Sequence, residues 1–185
     1  MSLSGNEKRQ LVLVAREAIV HGLRCHQRRP VSAADYAVAF QTKAASFVTL
    51  TIKGNLRGCV GSTENYRSLI EDVAHNAYSA AFEDNRFHPL SPDEYPVLEV
   101  QASILSPKEA VLFTSEEDLL RQLRPSMDGL LIEKSERHAT FLPSVWASFP
   151  DPWQFLDQLK RKARIDDAEP GTLKAWRYTT VSFSG

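Results

Sequence analysis

The six residues Leu56-Arg57-Gly58-Cys59-Val60-Gly61 concentrate the chemical options of this sequence: a thiol sits between two glycines, and an arginine lies two residues before it. The thiolate is the nucleophilic and redox-active form of cysteine, and a guanidinium beside it in a partly open pocket favours that form. Gly58 and Gly61 remove side-chain cover and would let a substrate or a partner backbone approach closely. Residue types therefore name Cys59 and Arg57 as candidate catalytic residues. Two other readings stay open. Cys59 could line a ligand site without reacting, or it could be a small core residue packed under a helix, a common place for free cysteines.

Strand periodicity sharpens the picture. Phe47 to Lys53 is rich in β-branched and aromatic residues, Gly54-Asn55 suits a two-residue turn, and Leu56 to Gly61 returns, which predicts a hairpin. With that turn Lys53 pairs with Leu56 and Leu50 with Cys59, placing Arg57 and Cys59 on one face with Leu50 and Ile52. An arginine on an apolar face must meet a carboxylate, a ligand or an open cleft, because an unpaired buried guanidinium is too costly.

The elements that must position this hairpin follow from spacing. Ser4-x-x-Glu7 has the form of a capping box, and Leu11, Val14, Ala15, Ala18, Ile19 and Gly22 recur at helical intervals, so a helix is predicted over 6–24, with Pro30 as its stop. A short helical segment is predicted over 33–40. Tyr66 to Phe82 carries Leu69, Ile70, Val73, Ala74, Ala77 and Ala81 on one stripe and acidic residues early, the pattern of a second long helix. Leu98, Val100, Ala102 and Ile104 alternate with Glu99, Gln101 and Ser103 as a strand with one buried face does. Helices are predicted over 115–123, 144–149 and 153–164, and strands over 129–133, 139–142 and 175–183. Mixed elements without a βαβ period predict an α+β fold with a mostly antiparallel sheet flanked by helices. No composition shift marks a linker, so residues 1–185 read as one domain, with 108–129 as a candidate small lobe.

Composition narrows the function classes. The chain has 185 residues, 43% apolar and 24% charged, as ordinary globular domains are. Its 22 Lys plus Arg against 23 Asp plus Glu give a net charge of -1, so no global field draws it to nucleic acid or an anionic membrane. The basic run Lys160, Arg161, Lys162 and Arg164 is followed at once by Asp166, Asp167 and Glu169, and no aromatic-interleaved basic motif is present; nucleic-acid binding is not expected. No run is apolar enough for a membrane span or a signal-peptide core, and the two cysteines, Cys25 and Cys59, form no C-x-x-C pair. A reducing, cytoplasmic setting is expected, with no metal site and no cofactor.

Further side chains are weighed against structural roles. His21, Cys25 and His26 offer ligand types from one helix end but do not complete a tetrahedral site. Glu71 and His75, four residues apart, suit a surface pair, with His75 as an alternative general base toward Cys59. His88 is a candidate to line the site, and His138 falls just outside it. Arg86 should pair with Asp84 or Glu64, and Phe87 should be buried where its loop closes on the hairpin.

Leu56 to Gly61 resembles the Leu-Arg-Gly-Cys-Ile-Gly hallmark of the AMMECR-one domain family, with Val60 in place of Ile. Further likenesses follow in order over about residues 10–180. Phe47-Val48-Thr49-Leu50 precedes the hallmark; Asp84-Asn85-Arg86-Phe87 resembles Asp-Pro-Arg-Phe; Asp128-Gly129-Leu130 resembles Asp-Gly-Leu; and Thr140-Phe141-Leu142-Pro143-Ser144-Val145-Trp146 resembles Thr-Phe-Leu-Pro-Gln-Val-Trp. Asn85 and Ser144 depart from the family residues, so no role is carried to them. The resemblance implies an α+β domain with a larger antiparallel-sheet lobe, a smaller lobe, and a cleft between them lined by the hallmark. It implies ligand contacts for Gly58, Gly61, Glu64, Asp84, Arg86, His88, Thr140 and Trp146, and a small ligand or a peptide as the bound partner, with thiol chemistry at Cys59 left open. Alternatives are a non-catalytic scaffolding module and a nucleic-acid-associated regulator. Prokaryotic members resemble the A component of the AmmeMemoRadiSam set, which implies a pathway shared with Memo-type and radical SAM proteins. Two cysteines cannot hold the iron–sulfur cluster of radical SAM chemistry, so none is expected in this chain.

Overall fold

The computed structural model describes residues 3–165 and 172–185. The acidic residues Asp166, Asp167 and Glu169 lie outside the described residues. The chain divides into two units, one formed by Met1–Leu105 with Val181–Gly185, the other by Ser106–Thr180. The stretch 108–129 falls wholly in the second unit, which continues to Thr180.

In the first unit, α1 (Gly5–Cys25), α2 (Val38–Gln41) and α3 (Leu69–Phe82) accompany a four-stranded sheet. The sheet is built from β1 (Ser46–Ile52), β2 (Asn55–Gly61), β3 (Leu98–Leu105) and β8 (Thr180–Ser184), in the order β2-β1-β3-β8. The pairings of β1 with β2 and with β3 are antiparallel. α1 begins in the expected box: Glu7 N donates to Ser4 Oγ at 3.3 Å and Ser4 N to Glu7 Oε2 at 2.7 Å. It ends before Pro30, because His26 adopts left-handed backbone (φ 54°) and returns its N–H to Gly22 O. The stripe Leu11, Val14, Ala15, Ala18, Ile19 meets Leu69, Ile70, Val73 and Ala77 of α3 and Val48, Leu50 and Val100 of the sheet in one core. Each fully buried aliphatic side chain there contributes ~1.5–3 kcal/mol. The α3 helix is itself boxed at its start, Ser68 Oγ donating to Glu71 Oε2 at 2.6 Å.

In the second unit, β4 (Glu109–Val111), β5 (Gly129–Lys134), β6 (Arg137–Phe141) and β7 (Lys174–Tyr178) form an antiparallel sheet in the order β4-β7-β5-β6. It packs with α4 (Glu116–Gln122) and α5 (Pro152–Ala163) around Leu119, Leu130, Ile132, Trp146, Phe155 and Leu159. Trp146 stacks on Phe155 with ring centres 3.8 Å apart. The predicted helix at 144–149 is a 3-10 turn over Pro143–Ala147, and the predicted final strand is two strands that join different sheets. The basic end of α5 is occupied locally: Lys160 Nζ meets Glu116 Oε1 at 2.6 Å, Arg161 meets Asp157 at 3.1 Å, and Lys162 Nζ donates to Thr140 O at 2.9 Å. No described helix is long and apolar enough to cross a membrane.

Candidate functional site

The hairpin turns one residue earlier than expected. Lys53 and Gly54 both take positive φ, 53° and 77°, and Ile52 pairs with Asn55, so the turn residues are Lys53-Gly54 rather than Gly54-Asn55. Positive φ at both central positions matches the twist of paired strands; Gly54 takes its position without steric cost, while Lys53 takes the left-handed conformation as a non-glycine residue. The earlier turn alone would keep Leu50 and Cys59 on one face; the one extra residue of a bulge in the β2 strand is what moves the side chains beyond it to the opposite face. Thr49 therefore lies opposite Cys59 and Leu50 opposite Gly58, and the expected pairing of Leu50 with Cys59 is corrected. Leu50 is fully buried toward the helices; Cys59 stands beside Thr49, its Sγ 3.3 Å from Thr49 Oγ1, and is half-buried.

Arg57 sits where the register shifts. Gly58 pairs with Leu50 and Leu56 with Thr51, leaving Arg57 as the extra residue of a bulge on the edge strand β2. Its guanidinium meets Glu94 through two bonds, Nε to Oε1 at 2.7 Å and Nη2 to Oε2 at 2.9 Å, and Nη2 also donates to His88 O at 3.0 Å. Glu94 sits at the third position of a 3-10 turn, Pro92–Val97, where it also accepts from Ser91 N at 2.9 Å. The Arg57 hydrogen bonds hold the Glu94 carboxyl down at about 2. Nη1 of Arg57 is sealed from solvent and has no hydrogen-bond partner among the described residues.

The loop after α3 clamps the hallmark strand. Cys59 N donates to Asp84 Oδ2 at 2.9 Å, and Arg86 Nη2 donates to Cys59 O at 3.1 Å, so one ion pair satisfies both edge-facing backbone groups as a neighbouring strand would. Arg86 holds Asp84 through Nε at 2.9 Å and Nη2 at 2.7 Å, and these bonds keep the Asp84 carboxyl at about 2. The partner of Arg86 is thus Asp84. Glu64 is exposed. Phe87 is half-buried rather than buried, because the Arg57 and Arg86 guanidinium carbons stand over its ring at 5.9 and 5.5 Å in place of an apolar wall.

The two glycines serve the protein's own packing. A Cβ on Gly58 would sit 2.1 Å from Ala80 O in α3, and one on Gly61 would sit 2.2 Å from the Phe47 ring. The backbone that approaches Gly58 on its Cβ side is that of the helix.

A pocket of about 560 Å³ opens beside this strand, lined by Arg57, Asn85, Arg86, Phe87, His88, Pro89, Ser91 and Glu94. Of the expected site residues the structure brings Arg57, Arg86 and His88 to its wall and sets Asp84 behind Arg86; Cys59 and Gly61 are not among the lining residues. Thr140 and Trp146 belong to the second unit and are buried there, Thr140 Oγ1 lying 2.9 Å from Leu130 O and Trp146 Nε1 donating to Asp128 O at 2.8 Å. Glu71 and His75 form no pair: Glu71 closes the Ser68 box, and His75 Nδ1 lies 3.1 Å from Arg28 Nη1. Burial, then the Arg28 charge, lowers the His75 pKa. Cys25 is exposed, and among the described residues no group of three or more His, Cys, Asp or Glu is placed to hold a metal ion.

Sequence reasoning missed Glu94 and a buried polar knot around Asp72. Ser91-x-x-Glu94 is a capping box beside prolines, a signal for the turn that holds Glu94 but not for its pairing with Arg57. Asp72 is fully buried, with Ser46 N at 2.9 Å, Ser46 Oγ at 2.7 Å, Ser62 Oγ at 2.8 Å and Asn76 Nδ2 at 2.9 Å. It ties the start of β1, the end of β2 and α3 together, and no motif announces it.

Comparisons with known proteins agree with one another. The AMMECR1 family model matches residues 12–183. A protein of Methanothermobacter thermautotrophicus is 39% identical over 166 residues, covering 88% of this chain and 85% of its own length. A protein of Thermococcus kodakarensis is 33% identical over 182 residues, covering 94% and 87%. The crystal structure of an uncharacterised protein of Pyrococcus horikoshii superposes with a TM-score of 0.85 at 28% identity, covering 96% of this chain and 90% of that one.

Proposed function

The chain belongs to the AMMECR1 family, and on that premise we propose that it is a binding module, taking a small ligand or a peptide segment in the pocket beside Arg57 without covalent chemistry. The observation that carries this reading is the construction of the pocket wall from the hallmark strand and the Asp84–Phe87 loop, two separate motifs of the sequence. Its volume suits a small molecule. Cys59 supports binding indirectly: its N–H and C=O are held by Asp84 and Arg86, so the thiol's strand is the frame on which the loop is hung. The thiol's own partner is the Thr49 hydroxyl, a poor general base. In this proposal the module works in the cytoplasm alongside Memo-type and radical SAM proteins, a placement that rests on family membership.

A fragment set of mixed charge, titrated against ¹⁵N-labelled full chain, tests the reading. The expected result is saturable shifts of the amides of Asn85 to Ser91, unchanged in Cys59→Ser. No saturable shift at these residues, or a fragment that stays covalently on Cys59 after denaturation, overturns it.

A further inference from the structure

We infer that the ligand of this pocket carries an oxyanion, a carboxylate or a phosphoryl group, received by the unused amino groups of Arg57 and Arg86; the inference rests on the binding reading above and names its ligand class. The argument is an accounting of donors and acceptors. Each carboxylate near the pocket is already engaged at both oxygens. Glu94 Oε1 accepts from Arg57 Nε, while Oε2 accepts from Arg57 Nη2, Ser91 N and Ser91 Oγ. Asp84 Oδ1 accepts from Arg86 N and Nε, and Oδ2 from Cys59 N and Arg86 Nη2. Both carboxyls stay ionised through the physiological range, held near 2 by those bonds.

The guanidinium groups are not exhausted in the same way. A guanidinium offers five N–H donors. Arg57 spends Nε and Nη2, and its Nη1 is buried without a partner. Arg86 likewise spends Nε and Nη2 and has no hydrogen bond through Nη1, with half of its side chain exposed. Both groups stand over the one Phe87 ring. The Asn85 side chain and the His88 ring add further donor capacity on the same wall. The pocket therefore presents spare donors from two permanent cations and no uncommitted carboxylate, a surface complementary to acceptor oxygens that bear charge. A cationic ligand finds no free acceptor of its own sign preference. A neutral carbonyl satisfies fewer of the donors.

Arg86 is half exposed and Arg57 Nη1 is sealed from solvent, so an oxyanion meets Arg86 first.

The test uses the full chain, with acetate and inorganic phosphate as probes, acetamide as the uncharged match for acetate, and chloride to equalise ionic strength. Arginine Nε–H signals and the backbone amides of Asn85, Arg86 and Phe87 are followed by NMR. The expected result is saturable shifts with acetate, phosphate or both, the stronger of the two identifying the oxyanion, and none with acetamide. Arg86→Lys keeps a cation for Asp84 but removes Nη1, and should weaken the binding roughly tenfold or more, with spectra elsewhere unchanged. Equal saturation by acetamide and acetate overturns the oxyanion inference and leaves the binding reading standing. Linear, unsaturating shifts with both anions also overturn it. Should no fragment of any charge saturate these residues, the binding reading falls with it.

Discussion

Replacing Gly58 by alanine decides between two meanings of the glycine in the hallmark, access for a ligand or access for α3. The new methyl carbon would stand 2.1 Å from Ala80 O and 3.0 Å from Ala80 C. A carbon and a carbonyl oxygen rest at about 3.3 Å even in a close C–H···O contact, so strand and helix must part by roughly 1 Å. The obstacle is helix backbone, which cannot rotate aside as a side chain does. Overpacking of this kind costs about 1–3 kcal/mol and sometimes more, and the rigidity places this case at the upper end. Alanine recovers some of that by restricting the unfolded chain, ~0.4–1 kcal/mol. A net loss of about 2–3 kcal/mol follows, or a fall in Tm of roughly 4–12 °C for a chain of this size. Urea unfolding monitored by circular dichroism measures it, with Gly5→Ala as the control. Gly5 lies in the first turn of α1 with Arg9 Nη1 as its nearest neighbour at 3.8 Å, and alanine there should be neutral or stabilising. Gly58→Ala with stability within about 0.5 kcal/mol of the parent would refute the close approach of β2 and α3 and return the glycine to ligand access.

Three further outcomes are expected. Asp84 and Glu94 titrate at about 2 when folded, against 3.8 and 4.5 ordinarily, so the folded state binds fewer protons than the unfolded chain; their contribution to the unfolding free energy should be level above pH 5 and decline as pH falls from about 4.5 toward 2, and Glu94→Gln should flatten part of that decline in urea titrations at each pH. Asp72→Ala should cost about 3–5 kcal/mol by the same assay, since it strands four donors in a buried site and removes the partner that Arg67 meets at 3.5 Å; a loss under about 1 kcal/mol would mean water replaces the carboxylate freely. Phe87→Ala should cost about 1–2 kcal/mol, below the ~3–5 of a fully buried phenylalanine, because half-burial under two guanidinium groups forgoes part of the apolar transfer; differential scanning calorimetry reads it.

Periodicity made the fold legible where one face is buried. The stripes of α1 and α3 and the alternation of Leu98, Val100 and Ala102 are set by the core, and the structure follows them. It was less legible where local chemistry competes. Gly54-Asn55 looks like a turn pair, yet Lys53 takes the first left-handed position, and the bulge at Arg57, which no residue type announces, put Cys59 opposite Thr49 instead of Leu50. The residues 175–183 read as one strand because nothing in their side chains reports that Thr179 lies between two strands of different sheets. For the site, residue types required that Arg57 meet a carboxylate, a ligand or an open cleft, and the structure supplies the carboxylate; for Arg86 they named Asp84 or Glu64, and Asp84 is its partner. They could not give Glu94, which lies 37 positions away from Arg57 and comes to it only through the fold.

The division of the first unit into Met1–Leu105 and Val181–Gly185 has a consequence for how the protein is made. During synthesis β3 leaves the ribosome with β1 already available on one side, while its other neighbour, β8, is still untranslated. At ~5–20 residues per second the stretch Ser106–Thr180 takes on the order of 4–15 s to appear. For that interval the largely apolar strand Leu98–Leu105 is a nascent edge, long enough in time for a neighbouring polysome's chain to pair with it. The ends of the second unit are joined by Ser106 N donating to Thr179 O at 2.9 Å, so β8 follows directly from the residue that closes that unit.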